Sequence, residues 1–361
     1  MTHTPQSSDQ GHPTTTNDDA TPTTDVVVIG GGAAGLTAAQ VLGRARRSVT
    51  VIDGHAQRNA PAQHMHGYLA RDGFPPADLI AVGREEAARY GVQLIDGQVS
   101  TLQWRGAAPG FALRLTDGRE LTTRAVLVAT GLRDELLALP GLEERWGVDV
   151  LHCPFCHAYE LRDRPLAVLG GGTNRELSVH QALLMPQWSD DVTFFPNGID
   201  LTEVERTRIE RRGVYIVDEP VRGIVVADDR LRAVELESGQ LVPRDAVFVA
   251  PRFLPNHALL LQIGCDVASS GLIATTGAGE TSVPGVWAAG NVIDPRAQVI
   301  TAAGQGSAAA IAINGYLLAQ DVEDTLASEP HPAPFSAEME RAVARRLFDS
   351  RRAEPGLSLH C

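Results

Sequence analysis

The sequence predicts an α/β fold of two Rossmann-like, three-layer domains of the dinucleotide-binding type. Two observations carry the fold. From Asp25 to Asp53 a strand, a Gly-x-Gly-x-x-Gly turn, a helix, a second strand and an acid follow in order, and a second strand–glycine turn–helix pattern is centred on Gly170. A third observation, the quartet Cys153-Pro154-Phe155-Cys156 just ahead of that second turn, speaks to chemistry.

Residues 1–24 are Thr, Pro, Ser, Gln and Asp with almost no apolar content. Such a segment cannot bury enough surface to offset its ordering entropy, so a disordered tail is expected. It lacks the apolar run of a signal peptide. The most apolar late stretch, Ala302 to Ala319, is interrupted by Gly304, Gln305, Gly306, Asn314 and Gly315, which suits a buried soluble helix and not a membrane span. A cytoplasmic protein is expected.

Asp25-Val26-Val27-Val28-Ile29 is the β-branched run of a strand buried on both faces. In the turn Gly30-Gly31-Gly32-Ala33-Ala34-Gly35, Gly30 permits the tight bend, Gly32 lets the backbone approach a pyrophosphate, and Gly35 allows close helix–strand packing. The helix from Leu36 presents its amides to the phosphates. The strand Ser48 to Ile52 ends in Asp53, 23 positions after Gly30, where a carboxylate accepts hydrogen bonds from a ribose diol.

Further on, Pro165 to Leu169 reads as a strand, Asn174 to Leu184 as a helix, Asp191 to Phe195 as a strand and Leu201 to Arg212 as a helix. Short strands near Gly223–Val226, Leu231–Leu236 and Asp245–Ala250 suggest a small meander returning to the sheet. Ser336 to Arg352 has helical periodicity (Met339, Val343, Leu347) and forms an extension ending in His360-Cys361. The Cys153/Cys156 pair alone fits a zinc half-site, a redox disulfide or two core thiols. Zinc needs four ligands and no second Cys-x-x-Cys or His pair is present, so no metal is expected and redox chemistry is favoured. Cys265 reads as a small buried hydrophobe. With 44 acidic against 31 basic residues, the net charge of −13 argues against a nucleic-acid partner and an anionic membrane surface.

The order of these motifs resembles that of the two-dinucleotide flavoproteins, and the Cys-x-x-Cys ahead of the second glycine turn resembles the low-molecular-weight thioredoxin reductases. Val283-Pro284-Gly285-Val286-Trp287-Ala288-Ala289-Gly290-Asn291-Val292 is similar to the family's late strand–turn, and Ala129-Thr130-Gly131 to its second landmark. The resemblance implies FAD as cofactor, with Gly30, Gly32, Ala33, Ala34, Gly35, Asp53, Asn59, Ala129, Gly131, Gly290, Asn291, Gln298 and Val299 as binding residues. It also implies that the second domain is inserted into the first. A discontinuous FAD domain would span 25–145 and 255–320, an NAD(P)-binding-like domain with the cysteine pair 146–254, and a C-terminal extension 321–361. A homodimer is implied on the same ground.

The sequence also departs from the reductases. Arg175 stands at the third glycine position of the second turn, and no arginine follows the strand ending at Phe195 in Pro196-Asn197-Gly198-Ile199-Asp200. His157 follows the pair where reductases carry an aspartate, and Asn291 replaces another. Arg206, Arg208, Arg211 and Arg212 read as a solvated helical face. Cys153 to Glu160, Arg58-Asn59-Ala60-Pro61 and His66 to Gly73 are instead similar to the dithiol oxidases that close the disulfides of gliotoxin and holomycin. That resemblance implies poor NAD(P)H binding and a small-molecule dithiol as substrate, oxidised through Cys153 and Cys156 to FAD and oxygen. His157, or His152, would be the base; His64 and His66 lie on a loop for which an approach to the flavin or substrate mouth and a surface or structural role are both open. A reductase acting on a thioredoxin-like protein with NADPH or ferredoxin is the competing expectation, and a flavin-bound redox sensor a third.

Overall fold

The computed structural model describes residues 23–106, 110–171, 174–327 and 336–353. The expected tail thus lies outside the described residues, apart from Thr23 and Thr24, which already pair with Thr122 and Thr123 as the opening of a strand. The last residues, including Cys361, lie outside them as well.

The β-branched run after residue 22 forms β1 (Thr23–Ile29), whose Val26, Val27 and Val28 are fully enclosed. It is followed by α1 (Ala33–Arg44), β2 (Val49–Asp53), α2 (Pro76–Arg89), β3 (Gln93–Asp96), β4 (Val99–Trp104), β5 (Phe111–Leu115) and β6 (Glu120–Val128). The strands lie in the order β3-β2-β1-β6-β5-β4. Beginning with Thr123 opposite Phe111, the first half of β6 runs antiparallel to β5, while Val126 to Val128 run parallel to a strand from much later in the chain. Burial on both faces explains why this parallel centre is a continuous apolar run instead of an alternating one.

An antiparallel two-stranded ribbon leads out of and back into this first sheet: β7 (Leu132–Glu135) pairs with a distant strand at Arg252–Pro255. Between its strands lie β8 (Val150–Leu151), α3 (Pro154–His157), β9 (Leu166–Leu169), α4 (Arg175–Leu184), β10 (Val192–Phe195), α5 (Glu203–Arg211), β11 (Tyr215–Ile216), β12 (Val221–Ala227), β13 (Arg230–Leu236), β14 (Leu241–Pro243) and β15 (Ala246–Val249). A second, wholly parallel sheet has the order β11-β10-β9-β15-β8, and β12-β13-β14 form an antiparallel meander. The two-domain α/β expectation therefore holds, with the second sheet inserted into the sequence of the first.

One expectation is corrected. The third meander strand is Leu241–Pro243, and the segment near Asp245–Ala250 forms β15 in the parallel sheet. Its Ala246-Val247-Phe248-Val249 is buried at every position, the mark of an interior parallel strand. The pleat divides its side chains: Ala246 and Phe248 join Leu166 and Val168 against α4, whereas Val247 and Val249 join Ala167 and Leu169 against the meander.

The return strand is β16 (Arg252–Pro255), followed by α6 (Ala258–Gln262), β17 (Val286–Ala288), α7 (Val299–Ala327) and α8 (Ala337–Ala353). The extension expected from 321 thus begins inside a continuous helix, and the chain divides into two compact units earlier, between Gly315 and Tyr316. Within the second unit, the Ser336 hydroxyl accepts the Met339 amide at 3.2 Å and caps α8. Among the described residues no helix is long and apolar enough to cross a membrane.

Close backbone contact sets the entrance of the first sheet. A Cβ on Gly35 would collide with the Gly30 carbonyl, and one on Gly306 of α7 with the Ala34 carbonyl of α1. Gly306→Ala should therefore destabilise the protein by about 1–3 kcal/mol through overpacking. Exposed Gly304, with open space around it, should become slightly more stable as Ala, by about 0.5–1 kcal/mol. Chemical denaturation of both variants checks the contrast.

Candidate active site

The turn between β1 and α1 opens onto a cavity of about 670 Å³ that reaches the cysteine pair, within the size range of cofactor and ligand sites. Its walls include Gly30, Gly32, Ala33, Ala34, Asp53, Asn59, Ala129, Gly131, Gly290, Asn291, Gln298 and Val299 together with Cys153, Cys156 and His157. Of the residues expected from sequence only Gly35 is not in the wall; it serves packing. Gly30 takes a left-handed φ of 110° with Ala129 pressed against it, whereas a Cβ on Gly32 would meet nothing within 4 Å. That open approach at the head of α1 fits a dinucleotide pyrophosphate.

Asp53 lies 4% exposed at the end of β2. Its carboxylate accepts the amides of Gly31 and His55 at 3.2 Å and the Gln57 side chain at 3.1 Å, with Arg84 at 3.5 Å. These partners hold it rigid at the cavity wall. Asn291 also has its amide committed, donating to the carbonyls of Asp294 and Ala297 at 2.9 Å. Gly290 donates its amide to Gln305 on α7 at 2.9 Å, joining the late turn to the helix that follows.

Arg58 is a contributor whose place sequence reasoning did not assign. Its guanidinium makes a two-pronged pair with Asp134 of β7, both bonds at 2.7 Å, and stacks over Phe253 of β16 at 5.3 Å. It also donates to the Pro295 carbonyl at 3.2 Å and lies 3.4 Å from Asn291 Oδ1. One side chain thus joins the loop after β2, both strands of the ribbon and the late turn. Nearby, Thr130 and Asn256 exchange hydrogen bonds at 2.7 and 2.9 Å where the ribbon meets the first sheet. Arg58 was legible only as part of a motif; Asp134, in the unremarkable run Leu132–Glu135, carried no signal.

Cys153 and Cys156 form a disulfide with 5.3 Å between their Cα atoms. Pro154 opens the short turn α3, which brings both sulfurs to the cavity and leaves Phe155 exposed and edge-on to Trp188 at 5.7 Å. His157, at the end of the turn, is half-buried in the same wall. Burial holds its imidazole below the ordinary range, the Glu160 carboxylate opposes that, and His66 adds to it. His152 is lowered as well, by burial and then by Arg58; its Nδ1 lies 3.3 Å from the Val249 carbonyl and its ring packs edge-on to Phe253. A neutral imidazole beside a disulfide is in the form that accepts a thiol proton. His64 and His66 line the cavity from the loop before α2.

The second glycine turn differs. Gly172 and Thr173 lie outside the described residues, but the surroundings are legible. Arg175 is held by Glu205 at 2.6 and 2.8 Å and by the Asp200 carbonyl at 2.9 Å, and the guanidinium lowers the Glu205 carboxyl to about 2. Arg206 is paired with Asp218 and Arg212 with the Leu183 carbonyl. A Cβ on Gly170 would meet the Pro196 carbonyl at 2.5 Å, and Asn197 crowds Gly171. Arg175, Arg206 and Arg212 are thus each engaged with a carboxylate or a backbone carbonyl of the protein itself. Among the described residues no cluster of His, Cys, Asp and Glu is placed to hold a metal ion.

The family described as pyridine nucleotide-disulphide oxidoreductase matches residues 24–306. The thioredoxin reductase sirT of Leptosphaeria maculans is 32% identical over 304 residues, 80% of this chain and 93% of that protein. The thioredoxin reductase aclD of Aspergillus oryzae is 29% identical over 72% of this chain and 85% of its own length. Among solved structures, HlmI is 49% identical with a TM-score of 0.82, over 90% of this chain and 97% of that one. A putative thioredoxin reductase TrxB from Bacillus anthracis is 30% identical with a TM-score of 0.78, over 82% and 99%. The resemblance to thioredoxin reductases drawn from the motifs is thereby borne out.

Arg58→Met leaves the Asp134 carboxylate, 4% exposed, without its partner and should cost about 2–4 kcal/mol in denaturant unfolding. The two imidazoles set a pH dependence. Their lowered folded values mean that the unfolded chain takes up protons first as pH falls through about 6.5. Their contribution is therefore present above that value and lost below it. Between pH 8 and pH 5.5, His157→Asn should lose less stability than the parent, as denaturation midpoints would show.

Proposed function

The chain belongs to the pyridine nucleotide-disulphide oxidoreductase family, and on that premise we propose that it is an FAD enzyme oxidising a small-molecule dithiol to a disulfide, with dioxygen as terminal acceptor. Membership with thioredoxin reductase-like relatives makes it a flavin-dependent thiol–disulfide oxidoreductase; the dithiol, the direction and FAD itself are the proposal. One observation carries it: the disulfide lies in the wall of the same cavity as the glycine turn at the head of α1, while Arg175, Arg206 and Arg212 near the second turn are engaged by partners within the protein. The 49% identity to HlmI, over nearly the whole of both chains, supports reading the site with that protein before the more distant reductases.

In this reading Gly30, Gly32 and the head of α1 receive the pyrophosphate, Asp53 the adenosine ribose, and Asn291, Gln298 and Val299 the flavin end. His157 accepts the proton of one substrate thiol. The resulting thiolate attacks Cys153 Sγ, the Cys153–Cys156 bond breaks, and Cys156 leaves as a thiolate. The second substrate thiol loses its proton and attacks the substrate sulfur of the mixed disulfide, releasing Cys153; the product disulfide forms and two electrons remain on the pair. A flavin bound in the cavity would supply the two-electron acceptor that reoxidises the pair, and dioxygen would take those two electrons with two protons and leave as hydrogen peroxide. Arg58 and Asp134 hold the ribbon so that Cys156 stays turned toward the cavity.

A second reading rests on the names of the relatives. In it the chain reduces a thioredoxin-type disulfide, as the name thioredoxin reductase says of sirT and aclD, with NADPH or ferredoxin as the donor this reading would require.

Anaerobic mixing of the yellow protein with dithiothreitol should bleach the flavin band, with peroxide formed when air is admitted. NADPH should leave the band unchanged over the same time; rapid stoichiometric bleaching by NADPH would favour the reductase. Cys156→Ser should keep its flavin and lose dithiol turnover, and full activity in that variant would overturn the assignment of the pair.

A further inference from the structure

The loop between β2 and α2 carries charged groups that neither the cradle nor the thiol exchange employs. His66 stands in the cavity wall with Cys153, Cys156 and His157, its side chain 23% exposed. Its Nδ1 lies 3.4 Å from the Asp72 carboxylate, which is itself fixed by the Gly67 amide at 3.0 Å. Gly67 supplies the bend with a left-handed φ of 76°. On its other side, His66 Nε2 lies 3.5 Å from Glu160 Oε1. Glu160 follows His157 by three residues, in the turn continued by the Leu161 amide to the Ala158 carbonyl at 3.2 Å. An imidazole with a carboxylate at each nitrogen thus bridges the first domain's loop and the turn that carries the redox pair.

We propose that Asp72, His66 and Glu160 form a chain of positioning residues that sets the charge of His157 through two opposed neighbours. The proposal rests on the reading that His157 takes the thiol proton. Glu160 favours a charged His157, while His66 in its charged form disfavours one. Asp72 anchors His66 so that its charge stays at a fixed distance. The directions of the perturbations on His157, raised by Glu160 and lowered by His66 and by burial, agree with this placement. The Asp72 carboxyl is held down by the Gly67 amide and then by His66. Other titratable or charged groups in the wall include His64, Arg133 and His152, with Arg58 and Asp134 beside His152. They are common to every variant below.

The chain explains why a base next to the disulfide is joined to a loop from the other domain. A thiol near pKa 8.5 is deprotonated best by a base tuned near the working pH. Burial alone would weaken His157, and Glu160 restores part of its basicity. Positive charge at His66 opposes that gain.

The test uses the full flavin-loaded chain with isotope-labelled histidine, the His157 resonance being assigned through His157→Asn. Glu160→Gln should move the His157 titration to lower pH and His66→Gln to higher pH; Asp72→Asn should move it in the direction of His66→Gln, and by less. The acid limb of kcat/KM for dithiothreitol should follow each shift. A merely structural role would lower turnover without displacing the titrations in opposite directions. Shifts of one sign, or none, in the folded variants would overturn the proposal. Opposed resonance shifts without dithiol turnover in the parent would leave the charge chain standing and refute the oxidase reading instead. Should His66→Gln fail to fold, Asp72→Asn and Glu160→Gln still carry opposite expected signs.

Discussion

The two-pronged pair between Arg58 and Asp134 is the interaction on which the site depends. A redox pair carried on an inserted domain exchanges electrons with a cofactor in another domain only if the connection between them is held. The connection is a ribbon of two short strands, and two strands alone are marginal in water. Arg58 secures both strands, by charge at Asp134 and by ring contact at Phe253, and reaches the Asn291 turn with the same guanidinium. Arginine suits the task because its planar fork matches a carboxylate bidentately while its face stacks on a ring.

Around that tie, the cavity separates binding from chemistry. Backbone and small side chains of β1 and α1 form one end, where a Cβ on Gly30 or Gly35 would collide while Gly32 stays open; the disulfide and two histidines form the other. Histidine protonation at the second end is governed by burial and by neighbours from both domains. Arg58 and Asp134, which hold the ribbon, also act on His152, whereas Glu160 and His66 act on His157.

Much of this was legible in the sequence, and the reason is local. The strand, glycines, helix and acid from Asp25 to Asp53 obey backbone rules that tolerate few substitutes, so the turn could be read in order. The cysteine spacing and His157 were equally plain. The structure brings the expected residues to one cavity, with Gly35 set back as packing. What remained hidden was non-local. Asp134 and Phe253 are ordinary residues until a ribbon pairs β7 with β16. Glu160 and Asp72 stood inside quoted motifs with no role, because only the fold places them at the two nitrogens of His66. The boundary error in the meander came from the same source: Ala246–Val249 is an apolar run whose parallel neighbours are far away in sequence.

The central claim is that the Cys153–Cys156 disulfide and the bound flavin share electrons within one cavity. Anaerobic titration with dithionite, counting electrons per flavin and trapping free thiols at the end, tests it directly. The account expects the parent to take up two electrons more per flavin than the Cys153→Ser/Cys156→Ser variant, with both thiols alkylated once reduction is complete. Equal uptake by the two proteins, with the parent's disulfide still resistant to alkylation after the flavin is reduced, would contradict it.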